Sequence, residues 1–139
     1  MKTRVRIWTT RLLLLLVFGA NVYCAGLFLL FPENYLSAYE LTGAGGRAAI
    51  QGIGVAFLMW NTTYPLLIVH PDRYRALFLI VLIQQAVGII GESCILLTLP
   101  DGYEALAESL TRFIVFDTGG LVVLLLGFFL SRIPEKSTR

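Results

Sequence analysis

Apolar residues in this chain run in four long blocks, at positions 12–31, 48–69, 76–99 and 113–130, with short polar stretches between them. Each block is long enough to cross a hydrocarbon layer, which needs roughly 20 apolar residues in helix. Each must be helical, because backbone N–H and C=O groups in hydrocarbon can only be satisfied within the segment or in a closed barrel. The pattern predicts an all-α membrane protein: one domain, residues 1–139, folded as an antiparallel four-helix transmembrane bundle.

Basic residues orient the bundle. Lys2, Arg4, Arg6 and Arg11 precede the first span, Arg73 and Arg75 join spans two and three, and Arg132, Lys136 and Arg139 follow span four, so nine of the eleven Lys and Arg lie on one side. The other side holds only Arg47 and Arg112, beside Glu33, Glu40, Asp101, Glu104 and Glu108. By the positive-inside rule both termini are cytoplasmic. The first block is read as a retained span: Phe18 and Tyr23 occupy the positions before Ala20 and Ala25 where signal-peptide cleavage requires a small residue.

The loops carry local signals. Pro71 stops span two, and the short link to Arg75 predicts a tight hairpin of spans two and three. Asp101 stands three residues before Glu104, a capping-box spacing that predicts a fourth helix of about 30 residues starting outside the membrane. Tyr35, Leu36 and Tyr39 have helical spacing suited to the headgroup layer, and Gly43-Ala44-Gly45-Gly46 reads as a flexible turn.

Composition agrees with a lipid solvent: 57% of residues are hydrophobic and 14% charged, too little charge to cover a soluble surface. Chemistry is therefore sought among the groups that lipid would reject. Arg47, Gln51, Gly54, Asn61 and Thr62 fall within an arc of about 100° on span two. Gln84, Gln85, Gly88, Gly91 and Glu92 share a face of span three, and Asp117, Gly120, Leu124 and Gly127 one of span four. Span one offers Gly19, Tyr23 and Gly26 on one face and Asn21 on another.

Arg47, Gln51, Glu92, Arg112 and Asp117 form an expected outer layer with two readings. Glu92 and Asp117 pair with the arginines as buried ion pairs, or the layer holds a ligand or proton. Asn61, Gln84 and Gln85 lie nearer the midplane, where buried amides hydrogen-bond between helices. No catalytic set is present, because the single histidine, His70, is at the opposite membrane face from Ser93. One histidine with scattered carboxylates makes no metal site, Cys24 and Cys94 read as small packing residues, and no basic patch suits nucleic acid.

Gly46-Arg47-Ala48 opening span two, the short basic hairpin loop, and Arg112-Phe113 with Asp117 opening span four resemble small four-span bacterial membrane proteins of DoxX-like architecture. The resemblance implies a multi-pass protein of a bacterial inner membrane. It carries over no functional residue and no cofactor. The expected function is a non-enzymatic helix-bundle component, working as a homo-oligomer or a small subunit beside a larger membrane-protein partner. The alternative is a carrier or receptor for a small amphiphile, lipid or anion held by the outer Arg/Glu/Asp layer.

Overall fold

A computed structural model describes residues 3–132. Lys2, Lys136 and Arg139, counted in the charge bias, lie outside that range. The described residues form helices α1 (Thr3–Leu30), α2 (Glu33–Leu36), α3 (Gly43–Asn61), α4 (Tyr64–Val69), α5 (Arg75–Thr98) and α6 (Glu104–Arg132), with a 3-10 turn at Ser37–Tyr39. There is no strand among them. Four helical segments are long and apolar enough to cross a membrane: Arg4–Leu30, Gly43–Val69, Arg75–Thr98 and Glu104–Arg132.

The first span extends through the basic segment to Thr3, since nothing before Pro32 disfavours helix there. Its inward face is Thr10, Leu14, Val17, Asn21, Ala25 and Phe28, all buried. Their three- and four-residue spacing is that of a helix packing along one seam. The small-residue face of Gly19 and Tyr23 points outward instead.

Span two is not one helix. Pro65 has no N–H to give to the carbonyl of Asn61, so α3 ends there and α4 begins at Tyr64. Side chains serve carbonyls of the turn before the break. Thr62 Oγ1 donates to the Met59 carbonyl at 2.7 Å, Thr63 Oγ1 to Trp60 at 3.1 Å, and Asn61 Nδ2 to Phe57 at 2.7 Å.

The helices pack in the order α3–α1–α6–α5, with α4 also against α1. The expected link between spans two and three turns tightly, with the Arg73 and Tyr74 N–H groups on the His70 carbonyl at 3.2 Å, but the two spans do not pack closely along each other. α5 lies along α6, and α4 touches it only sparingly, because Gln85 and Gly88 of α5 are engaged by Asp117 of α6. The bundle thus has a seam between α3/α4 and α5. Gly54 brings α1 and α3 close: a side-chain carbon there would stand 2.9 Å from Leu29 Cγ and 3.0 Å from the Ala25 carbonyl oxygen.

The loops at the end of the bundle away from the termini, called the outer loops, also depart from expectation. Gly43–Gly46 is the first turn of α3. Tyr35, Leu36 and Tyr39 fold back onto the bundle, where Phe28 meets Tyr35 edge-on with centroids 4.6 Å apart. Burial foremost, together with the fields of Cys24 and Glu92, pushes the Tyr39 phenol above its usual pKa. The capping box at Asp101 does not form. Glu40, in the left-handed region at φ 52°, instead accepts from the Ala105 and Leu106 N–H groups at 3.1 and 3.3 Å. That carboxylate meets both the orphan donors and the positive end of the α6 dipole.

Replacing Glu40 by alanine removes this cap and should cost about 1 kcal/mol. Glu40→Gly removes the cap but also the left-handed strain, so it should melt above Glu40→Ala. Thermal unfolding in detergent measures both, and Glu40→Ala melting with the wild type would refute the capping role.

Candidate functional site

Four of the buried polar groups form a layer between two apolar cores. Toward the chain termini lie Leu14, Val17, Tyr64, Leu67, Phe78, Val81, Leu82 and Leu124. Toward the outer loops lie Ala25, Phe28, Ile50 and Phe57. Between them are Asn21, Asn61, Gln85 and Asp117, all buried.

These groups bind helix to helix. Asn21 Nδ2 donates to Asn61 Oδ1 at 3.3 Å, joining α1 to α3, and Gln85 Nε2 donates to the Asp117 carbonyl at 3.1 Å, joining α5 to α6. Asp117 is 6% exposed. Gly88 makes room for it: a side-chain carbon at Gly88 would stand 2.7 Å from Asp117 Oδ2. A small cavity, about 20 Å³, lies at the seam beside the helix break. It is lined by Asn21, Asn61, Tyr64, Gln84, Gln85 and Asp117, with Phe57, Trp60 and Val81 completing the walls.

The outer layer does not assemble as expected. Arg47 pairs with Glu33, and Arg112 lies 3.8 Å from Glu108 one turn earlier, so neither arginine pairs with Glu92 or Asp117. The reason is geometric. Both arginines are exposed at the rim beside acidic neighbours, whereas Asp117 faces α5 in the interior. Gln51 has a structural task, donating through Nε2 to the Leu29 carbonyl at the end of α1 at 3.2 Å. Glu92 is half-buried, and its Oε2 is buried with no hydrogen-bond partner. Cys24 and Cys94 are free thiols.

Sequence reading named Asn21 without placing it in the site, and missed Tyr64 and the break itself. Pro65 within the second apolar block was the available signal for the break. Among the described residues no group of three or more His, Cys, Asp or Glu could hold a metal ion.

By length and apolarity of its helices, the chain is an integral membrane protein built as a four-span helical bundle. Comparison with protein-family models, curated proteins and solved structures gives no match.

Gly88→Ala must displace the Asp117 carboxylate and should destabilise by about 1–3 kcal/mol. Gly91, one turn outward, has open space around it, so Gly91→Ala should hold or raise stability through helix propensity. Paired melting curves check the contrast, and equal behaviour of the two variants would contradict the Asp117–Gly88 contact.

Proposed function

We propose that the protein is a non-enzymatic component of a membrane assembly, working as a homo-oligomer or as a small subunit beside a larger membrane-protein partner. The observation that carries this reading is a set of span glycines that its own bundle leaves uncovered. Gly19, Gly26, Gly52 and Gly119 have nothing within 4 Å of where a side chain would stand. Leucine packs against lipid almost as well as against another helix, so association in membranes depends on small residues that admit close backbone approach. The same proposal places the chain in a bacterial inner membrane with both termini cytoplasmic. Its support is the nine-to-two bias of basic residues and the resemblance to DoxX-like architecture.

A second reading, a carrier or receptor for a small anionic amphiphile, is favoured by one surface feature. A groove of about 230 Å³ is lined by Cys24, Phe113, Phe116 and Arg112. The arrangement suits an acyl chain with an anionic head.

In mild detergent the particle should have a mass that is a multiple of 15.4 kDa, or should retain a larger partner. A strictly monomeric particle with nothing co-purifying from native membranes would overturn the leading reading. Native mass spectrometry showing a bound amphiphile that Arg112→Ala loses would favour the second. For orientation, Ser37→Cys should react with an impermeant maleimide in intact cells and Asp72→Cys only after lysis, both in a background with Cys24 and Cys94 replaced by alanine. The reverse order would invert the topology.

A further inference from the structure

The cavity at the seam is bounded by groups of a single electrical sign. Asp117 contributes a carboxylate, and no Lys, Arg or His lines the space. α3, a 19-residue helix, ends at Asn61 on the cavity wall and brings the negative end of its dipole there. Pro65 leaves the Asn61 carbonyl without its helical donor. A carboxylate held in the membrane interior with no cationic partner is costly, and a counter-ion relieves that cost.

The remaining oxygens suit a hard cation. Asn61 Oδ1 accepts from Asn21 Nδ2, which leaves the Asn21 Oδ1 for another partner. Gln85 commits its Nε2 to α6, which leaves its Oε1. The Gln84 amide and the Tyr64 hydroxyl complete an all-oxygen inventory, the donor type that alkali and alkaline-earth ions prefer. One carboxylate among neutral oxygens balances one positive charge, whereas divalent sites gather more carboxylates. Size narrows the choice further. A cavity of about 20 Å³ holds a single water or one bare ion of similar radius, and excludes a hydrated ion or an organic ammonium. Interrupted membrane helices place unwound carbonyls and helix C-terminal ends around coupling cations in the same manner.

We propose that the cavity between α3/α4 and α5 binds one dehydrated alkali cation, with Asp117 as its charge partner and the oxygens of Asn21, Gln84, Gln85 and Tyr64 as neutral ligands. Trp60, partly exposed, lines the same cavity and reports on its occupancy. The titratable neighbours of Asp117 are Glu92 on α5, Cys24 on α1 and Tyr64 on α4. A proton on Asp117, or a water in the cavity, is therefore the competing occupant. The site does not depend on the assembly reading: a monomer that binds the ion would sink that reading and leave this one standing.

The test uses purified full-length protein with Trp8→Phe, so that Trp60 is the remaining tryptophan. Thermal unfolding and Trp60 fluorescence are followed at about pH 8, above the ordinary carboxylate range. Choline chloride is replaced stepwise by lithium, sodium or potassium chloride at constant ionic strength. One of these ions should raise Tm saturably by several degrees and shift the fluorescence with the same half-saturation. Asp117→Asn, uncharged and of the same shape, should abolish both responses. If that variant does not fold, Gln84→Leu should raise the half-saturating concentration about tenfold, the loss of one ligand worth about 1.4 kcal/mol. Identical behaviour in choline and in every alkali chloride would overturn the proposal. So would an alkali response that survives Asp117→Asn, or one left unchanged by Gln84→Leu where Asp117→Asn does not fold. A Tm that follows pH alone in choline would assign the cavity to a proton or a water.

Discussion

Hydrocarbon offers no hydrogen bonds, and the structure is organised around meeting backbone donors and acceptors without water. Within an unbroken helix the backbone does this unaided. At helix ends it cannot, because the last carbonyls and first N–H groups have no intrahelical partner. Side chains from neighbouring elements supply the bonds. Arg6 Nε donates to the Leu130 carbonyl at the end of α6 at 3.2 Å, and Arg11 Nη2 to Val69 at the end of α4 at 2.6 Å. Gln51 serves α1 from α3, and Glu40 serves the start of α6 from the first outer loop. Capping and tertiary packing are thus the same set of contacts.

The arginines of α1 illustrate how one residue serves two physical demands. Their charge biases which side of the membrane they occupy. Their planar donors, held at the end of a long stem, also reach carbonyls of other helices, which a short side chain could not do. Arg132 adds a third use, lying over the Phe128 ring at 3.6 Å from its centroid.

Apolar burial alone distinguishes weakly between a helix neighbour and lipid, and Leu97, near the end of the third span, is 85% exposed. The bundle is therefore fastened where backbones approach closely and where amides meet. Gly54 against Ala25 joins α1 to α3, Thr10 Oγ1 on the Gly127 carbonyl joins α1 to α6, and Gln85 with Gly88 joins α5 to α6. No comparable fastening joins α3 to α5, and the polar cavity lies along that unfastened seam.

The sequence by itself determined the number of spans, their helical form and the 29-residue fourth helix, because block length and hydrocarbon thickness admit no other solution. It also singled out Gln85 and Asp117, which the structure buries, since a polar group inside a span tends to face protein. Partner choice was another matter. Arg47 and Arg112 stand at suitable depths to pair with Glu92 and Asp117, yet Glu33 and Glu108 are nearer in space. Depth along a helix is legible from position, but rotation and the route of a loop are set by packing. The same reason hid the inward role of Asn21, the cap supplied by Glu40 and the opening between α3 and α5. Each joins residues distant in sequence, and only the tertiary structure decided which of them meet.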